Sequence, residues 1–408
     1  MPSRGPSDPN VRLLYRATFL FGMACGISIA LTSLYLDANG FTKQNIGTLA
    51  AWFASGIVLM SLPAGALIRK FSAKTTLMSC LAGYALCVTA FPFLGSYEAI
   101  AGVRFVDGAC SVGIWVSSET ILLSRTGKEN KAHLTSLYAI WLASGYVLGP
   151  LLAKGITVFF PMVGAFVAAG GFALASAIYV SLRLPADGPD DHLPAPTRPG
   201  IAGPHSGEQP TSSMTILWRI KNSCFATYVY GYFQASVVLF LPLYLIESKG
   251  IPRDRTIILP GLFCFGMLVC SNAAGRIADR VGHLLMMRAL SFLGMLMVVG
   301  FIVLDSYVAM CAAVFVAGAT FASMSPISLA LQGVVTERKN YSRSNAIYNV
   351  FYAAGMLMGP PVSSMIFQHF GGKPMLLHLA LLWGGFVVFS VVFYRDDPAA
   401  VKLKSAPA

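Results

Sequence analysis

The sequence predicts an all-α membrane protein with twelve transmembrane helices in two pseudo-symmetric six-helix bundles. Three observations lead to this prediction. Hydrophobic residues make up 56% of the 408 residues and charged residues 11%, whereas a soluble domain has about 45–50% and about 25%. The apolar residues fall in blocks long enough to cross a bilayer, which takes about 20 residues per helix. The chain also repeats itself at an offset of 210 residues.

The apolar blocks place twelve spans along the chain. In order, they are 12–36, 46–68, 75–95, 98–124, 134–157, 159–182, 217–247, 257–276, 284–304, 307–334, 343–370 and 375–394. The first block is long, and no small-residue cleavage pattern follows it. We therefore interpret it as a spanning helix and not as a cleaved signal peptide.

The repeat includes ten identities without a gap that mark its most distinctive positions. Its longest element is Gly145-x-x-x-Gly149-Pro150, which recurs as Gly355-x-x-x-Gly359-Pro360. The same offset relates Gly40 to Gly250, Gly65 to Gly275, Gly108 to Gly318, Thr126 to Thr336, Asn130 to Asn340, Tyr138 to Tyr348 and Ala143 to Ala353. Two related sets of spans predict two bundles that rock around a site between them, which is the architecture of a secondary transporter.

The net charge of +12 is explained by topology and not by nucleic-acid binding. If the N-terminus is cytoplasmic, the cytoplasmic segments hold 22 of the 29 lysines and arginines, and the outer loops hold six. The remaining one, Arg104, lies inside span 4. This is the positive-inside bias, which predicts a multi-pass inner-membrane protein with both termini in the cytoplasm. The same basic segments are expected to contact anionic membrane lipids.

Between the two sets of spans the composition changes sharply. Seven prolines fall between Pro185 and Pro210, in a stretch that also contains several glycines and aspartates. Such a stretch cannot bury a core and predicts a flexible cytoplasmic linker. The predicted domains are therefore an N-terminal bundle at 1–183, a linker at 184–213, and a C-terminal bundle with a short cytoplasmic tail at 214–408.

The eight cysteines all lie in apolar blocks, and none belongs to a Cys-x-x-Cys or mixed Cys/His array. They are interpreted as small packing residues, so we expect no disulfide, no metal and no cofactor. The sequence also lacks the G-x-x-x-x-G-K-[ST] phosphate loop, which excludes ATP hydrolysis by that means. No arrangement of nucleophile, base and orienting group indicates an enzyme.

Two loops carry a related glycine-containing and basic pattern. The second half has Gly275-Arg276-Ile277-Ala278-Asp279-Arg280-Val281-Gly282-His283, and the first half has Gly65-Ala66-Leu67-Ile68-Arg69-Lys70. They resemble the G-x-L-x-D-R-x-G-R/K element that the major facilitator superfamily carries between helices 2 and 3. The resemblance implies that the aspartate faces a helix N-terminus and stabilises one closed conformation. Arg69 replaces that aspartate in the first half, so the resemblance assigns the conformational latch to Asp279. The alternative is that Asp279, Arg276 and Arg280 form only a solvated loop cluster.

Span 4 resembles the family's R-x-x-Q/D-G element at Arg104-Phe105-Val106-Asp107-Gly108. A charge in hydrocarbon is costly and indicates function or pairing. Asp107 lies three residues after Arg104 and so shares its helix face. Further along, Trp115-x-x-x-Glu119 places a carboxylate beside two serines. Two interpretations stand: Asp107 or Glu119 binds a proton or a cationic substrate, or Arg104 and Asp107 form a fixed pair that holds helices together.

The repeated G-x-x-x-G-P element favours close helix packing through its glycines and a kink through its proline. In the family, the helix-5 version is associated with exporters that exchange substrate for protons. The elements are Gly145, Gly149 and Pro150 in span 5 and Gly355, Gly359 and Pro360 in span 11. Because ordinary packing explains the same residues, the inference of export from this element is weak.

Aromatic and polar residues in three spans are candidates for lining a pocket for amphipathic organic molecules. These are Tyr138, Trp141, Tyr228, Tyr232, Gln234, Tyr348 and Asn349. The sequence thus favours a proton-coupled secondary transporter, monomeric, that exports a small amphipathic solute by alternating access. The alternatives are proton-coupled uptake of a sugar or other polar metabolite, and, in another class, a non-transporting sensor or a lipid flippase.

Overall fold

The computed structural model describes residues 9–124, 131–185, 212–337 and 340–394, and these are helical apart from short connections and caps. The linker expected at 184–213 and the repeat residues Thr126 and Asn130 lie largely or wholly outside these ranges. The side chains of a few helical residues, Arg69 among them, are also outside the described set. The α-helices are α1 Pro9–Ala38, α2 Lys43–Phe71, α3 Ala73–Ala90, α4 Tyr97–Ser124, α5 Lys131–Phe159, α6 Met162–Arg183, α7 Ser213–Arg219, α8 Lys221–Lys249, α9 Arg253–Thr256, α10 Leu259–Val281, α11 His283–Val303, α12 Tyr307–Val335, α13 Tyr341–Phe370 and α14 Gly372–Val392.

Eleven helices of the described chain are long and apolar enough to cross a membrane, with mean hydropathies between 1.4 and 2.2. They are α1, α3 to α6, α8 and α10 to α14, some with shortened or extended bounds. The remaining predicted span, 46–68, coincides with the 29-residue α2. The all-α fold predicted from the apolar blocks is therefore observed, and the protein is a multi-pass membrane protein.

The helices group into two compact units by their contacts. Unit 1 comprises Met1–Leu31 and Trp52–Pro210, and unit 2 comprises Thr32–Ala51 and Thr211–Ala408. The end of α1 and the beginning of α2 thus pack with the C-terminal helices. This grouping follows from the contacts of residues 32–51, which are described with the functional site.

In unit 1, α2 and α4 cross at two glycines that let the backbones touch. A Cβ atom on Gly56 would lie 2.9 Å from the Ala109 nitrogen and would also meet the Phe105 carbonyl. A Cβ atom on Gly108 would meet the Phe53 carbonyl oxygen and lie 2.9 Å from its carbon. Neither backbone can yield at such a crossing, so these positions require glycine.

Unit 2 contains the same crossing 210 residues later. Gly266 of α10 lies against Phe315 and Ala319 of α12, and Gly318 lies against Phe263. Each of these contacts joins residues whose counterparts are in contact in unit 1. The repeat in the sequence is therefore a repeat of helix packing.

The G-x-x-x-G elements form a second repeated crossing, α5 on α1 in unit 1 and α13 on α8 in unit 2. The contacts are Gly145 on Gly22, Gly149 on Gly26, Gly355 on Tyr228 and Gly359 on Tyr232. Pro150 lies within α5, and Pro360 lies with Pro361 within α13. Close approach through small residues replaces the hydrophobic driving force that helices lack in lipid.

The connections after α2 and α10 also share a backbone conformation. Ser72 has a φ of 74° and Gly282 a φ of 100°, and each caps the helix that follows. The two positions are 210 residues apart. Ser72 adopts this left-handed φ and accepts a hydrogen bond from the Thr75 backbone N–H at 3.3 Å, which offsets part of the strain.

We expect Gly108→Ala to destabilise the protein strongly, because its Cβ atom meets the backbone of α2 and the helices have to separate. Overpacking of this kind costs about 1–3 kcal/mol. The control is Gly102→Ala in the same helix, since a Cβ atom there has nothing within 4 Å. The measurement is thermal unfolding in detergent. Equal midpoints for the two variants would contradict the crossing described here.

Candidate functional site

Two charged residues of α4, Arg104 and Asp107, form a buried ion pair. Arg104 Nη1 donates to Asp107 Oδ2 at 2.5 Å, with side chains 13% and 5% exposed. The Arg104 guanidinium also lies 4.4 Å above the ring of Phe53 in α2. The other oxygen, Asp107 Oδ1, is buried and has no hydrogen-bond partner. The pair is thus neutral overall, yet it retains one unsatisfied acceptor inside unit 1.

Glu119 lies in a different setting in the same helix. Its side chain is exposed, unlike those of Arg104 and Asp107. Among the described side chains, none forms an ion pair with it. The buried Tyr138 of α5 lies near both Glu119 and Ser118. Glu119 is therefore a carboxylate that can take up a proton without breaking an ion pair.

Trp141 follows Tyr138 by one helical turn in α5. It is 39% exposed and packs edge-on against Phe19 of α1 at 5.8 Å between ring centroids. Because Gly145 and Gly149 continue this face onto α1, Trp141 lies at the edge of the α1–α5 crossing. It is available to a ligand only on its exposed side.

The candidate residues of unit 2 fall into separate contacts. Tyr228 and Tyr232 are neighbours on α8, with centroids 6.1 Å apart. Gln234 accepts a hydrogen bond from Tyr352 Oη at 3.2 Å. Tyr348 is buried and exchanges a hydrogen bond of 2.8 Å with Ser328 of α12. Its hydroxyl is thus engaged in helix packing.

Asn349 follows Tyr348 in α13 and is exposed. It is not brought into the polar contacts that join Gln234 to Tyr352 or Tyr348 to Ser328. The hydrogen bonds of Gln234 and Tyr348 therefore connect neighbouring helices. Asn349 lies on the exposed side of α13.

A histidine that the sequence analysis left aside joins Tyr232. His378 of α14 has its Nε2 3.3 Å from Tyr232 Oη and 3.3 Å from Ser363 Oγ of α13. Its predicted span contains no other titratable side chain between Lys373 and Tyr394. That isolation in an apolar helix was the available signal, since an ionisable residue within a span is costly unless it serves a purpose.

Four charged residues form a cluster in unit 2 at the ends of α1 and α8 and the beginnings of α2 and α9. Asp37 bonds Lys43 at 3.1 Å and Arg253 at 2.9 Å, and Lys43 also pairs with Glu247. Arg253 donates further to the Leu34 carbonyl at 3.1 Å. We call these four residues the outer charge cluster, because the predicted topology places them at the outer face. It attaches residues 32–51 to the C-terminal helices.

The outer charge cluster is built from the internal repeat. The 210-residue offset takes Asp37 to Glu247 and Lys43 to Arg253, acid to acid and base to base. The two cross-pairs, Asp37 with Arg253 and Glu247 with Lys43, are therefore equivalents of each other. The 210-residue offset is therefore the signal in the sequence that relates these partners.

Lys43 lies just before the predicted span 46–68. Burial lowers the pKa of its ammonium group, but the carboxylates of Glu247 and Asp37 outweigh burial and hold the pKa above its usual value. Lys43 is therefore cationic at every physiological pH. Deprotonation of this lysine cannot open the cluster.

The loop motifs show a local contact only. Asp279 is 72% exposed and lies 3.3 Å from His283 one turn later, a pair that is ionic only when the histidine is protonated. Arg280 is exposed, and Gly275 has open space around its Cα atom. Gly65 lies in the last two turns of α2, and the side chain of Arg69 is outside the described set. The latch role of Asp279 stays a prediction.

Comparisons with known proteins identify the class. The sequence profile of the Major Facilitator Superfamily matches residues 14–309 and 301–408. An uncharacterized MFS-type transporter YcaD of Escherichia fergusonii is 23% identical over 381 residues, covering 91% of this chain and 92% of the relative. The chain belongs to the Major Facilitator Superfamily. It is a transporter and not an enzyme.

Solved structures share the fold. A mutant of the nucleoside transporter NupG gives a TM-score of 0.76 at 13% identity, with 95% of this chain and 99% of that chain covered. A bacterial homologue of the human lysosomal transporter Spinster, inward-facing and occupied, gives 0.73 at 12% identity, with 97% and 96% covered. At these identities the likeness concerns the fold alone.

Proposed function

We propose that the protein is a proton-coupled secondary transporter that exports amphipathic organic compounds by alternating access. The observation that carries the coupling is Glu119. It is an exposed carboxylate within a spanning helix, with no ion pair among the described side chains. An ion-paired acid such as Asp107 has to give up its ion pair before it can bind a proton. Glu119 can bind a proton without losing such a pair.

The substrate class is supported by the character of the candidate side chains. Trp141 and Tyr228 offer aromatic surface, and Gln234 and Asn349 add only a few amide groups. Ligand sites with apolar walls and few polar groups suit amphipathic molecules, whereas a sugar needs many hydrogen bonds. Uptake of a polar metabolite is the competing function.

Alternating access requires contacts that form in one conformation and break in another. The outer charge cluster has this character, since it attaches residues 32–51 to unit 2 by ion pairs at partly exposed positions. We infer that these pairs separate when the outer side opens. The protein is proposed to act as a monomer in the inner membrane, among anionic lipids, with cytoplasmic termini and a linker at 184–213 that tethers the halves.

The test is a screen in proteoliposomes with an imposed pH gradient. The purified protein is reconstituted and offered a panel of cationic dyes, neutral amphipathic drugs, sugars and nucleosides. We expect gradient-driven movement of amphipathic compounds opposite to the proton flux. Movement of sugars or nucleosides along with protons would support uptake instead. Transport that ignores the gradient would overturn proton coupling.

A further inference from the structure

His378 is an ionisable residue placed within a spanning helix. It lies six residues after the beginning of α14, about 9 Å along a helix that rises 1.5 Å per residue. It is half-buried and forms no ion pair with a described side chain. Its contacts are with hydroxyl groups of two other helices, α8 and α13.

The hydroxyl protons around His378 are already assigned by their own hydrogen bonds. Ser236 Oγ donates to the Tyr232 carbonyl at 2.8 Å, and Ser363 Oγ donates to Ser236 Oγ at 2.8 Å. Ser363 Oγ can therefore only accept from the histidine. Tyr232 Oη is different, because it can either donate to Nε2 or accept from it.

This arrangement accommodates both charge states of the imidazole. In the neutral state, Nε2 accepts from Tyr232 Oη while Nδ1 carries the proton. In the cationic state, Nε2–H is accepted by Ser363 Oγ. Nδ1 is buried and has no hydrogen bond of good geometry. The acceptor that the site supplies to the imidazolium is therefore the one for Nε2–H.

Among the described side chains, no carboxylate pairs with His378. The helices packed most closely against α14 are α8, α11 and α13. The polar side chains of these helices that contact the imidazole are Tyr232 of α8 and Ser363 of α13. Arg288 of α11 binds Ser390, about 18 Å further along α14 at 1.5 Å per residue. On α14 itself, Lys373 lies more than one turn earlier.

The cluster has no counterpart in the first half of the chain. At positions 210 residues earlier, His378, Ser363 and Tyr232 correspond to Ala168, Ala153 and Gly22. Packing repeated by the fold therefore does not require these polar groups. These polar side chains occur only in the second half of the repeat.

We propose that His378, with Tyr232 and Ser363 as its hydrogen-bonding partners, is a proton-binding site in unit 2, additional to Glu119 in unit 1. The proposal rests on the proposed function, which supplies the proton gradient. Protonation at Nε2 turns Tyr232 Oη from a donor into an acceptor or releases it. Because Gly359 lies against the Tyr232 backbone, a change at this tyrosine reaches the α8–α13 crossing directly.

The test measures proton binding without substrate or gradient. Protein labelled with ¹⁵N-histidine is reconstituted in lipid, and its imidazole ¹⁵N signals are followed by solid-state NMR between about pH 5 and 8, the range in which histidine ordinarily titrates. His378→Gln identifies the signal of His378 among the six histidines by its loss. We expect the His378 signal to change from neutral to cationic in this range. A signal that keeps one neutral tautomer throughout would overturn the proposal.

Tyr232→Phe provides the second variant, because it removes one partner of Nε2 and keeps the ring. We expect it to move the His378 midpoint by about half a pH unit or more, since hydrogen bonds to one charge state shift the equilibrium. Ser291→Ala, a hydroxyl of α11 bonded to Met324 and not to His378, is the matched control. An unmoved midpoint in Tyr232→Phe would remove the tyrosine from the site. Because no transport is measured, these outcomes do not depend on whether the screen finds export.

Discussion

Asp107→Ala is expected to destabilise the protein by about 3–5 kcal/mol, the usual cost of leaving one member of a buried ion pair without its partner. Arg104 is 13% exposed and has the Phe53 ring on one side, so water cannot readily replace the lost carboxylate. The measurement is the unfolding midpoint in detergent. Asp107→Asn is the milder companion, because the amide oxygen still accepts from Arg104 Nη1.

The double variant Arg104→Met with Asp107→Leu separates the two interpretations of this pair. Replacing both charges with apolar side chains of similar volume is often neutral or stabilising. If the pair only holds helices together, the double variant folds and still transports. Normal folding with lost transport would assign the charges to binding. Unchanged stability in Asp107→Ala would contradict the pair as described.

Arg253→Asp is expected to expose the surface that residues 32–51 cover in unit 2. The substitution turns the attraction of Asp37 into repulsion. Arg253 is 35% exposed, and each pair at such a position is worth only about 1 kcal/mol, so reversal costs about 2 kcal/mol. That is about a 30-fold shift towards the detached state, at tenfold for every 1.4 kcal/mol.

Thiol labelling at Ser364→Cys reports this shift. Ser364 is fully buried and lies directly under Gly47 of α2. A maleimide therefore reaches this position only when the beginning of α2 moves away. The background labelling is measured in Arg253→Asp with Ser364 intact. This control accounts for the reaction of the native cysteines. We expect labelling to accelerate several-fold or more in Arg253→Asp.

The charge swap Asp37→Arg with Arg253→Asp is the matched control. It restores opposite charges at the same two positions, although Lys43 then faces an arginine, so recovery is partial. Labelling that slows relative to Arg253→Asp supports a direct pair. If Arg253→Asp labels no faster than the parent, the outer charge cluster does not govern access and the role proposed for it is wrong.

Much of the fold was predictable because it depends on repeated, local features. Apolar blocks predict spans, and Gly108 with Gly318 predicts equivalent crossings because only glycine lets two backbones touch. Arg104 and Asp107 are three residues apart, so helix geometry alone brings them together.

The remaining contacts could not be derived this way because they join distant segments. Tyr232 and His378 are 146 residues apart and meet through tertiary packing. Arg253 and Asp37 are 216 residues apart. The pair of Arg253 with Asp37 becomes predictable only through the repeat. The 210-residue offset takes its two members to the two members of the other pair, Lys43 and Glu247. His378 has no repeat partner, and only its isolation as an ionisable residue in an apolar span indicates it.

Proton movement driven by substrate is the most direct test that this carrier works through Glu119. Proteoliposomes containing a pH-sensitive dye are given the compound identified in the screen, for the parent and for Glu119→Gln. Asp107→Asn serves as the acid-to-amide control in the same helix. We predict that substrate addition moves protons in the parent, that Glu119→Gln abolishes this movement, and that substrate exchange at equal pH survives. Unchanged proton movement in Glu119→Gln would contradict the account.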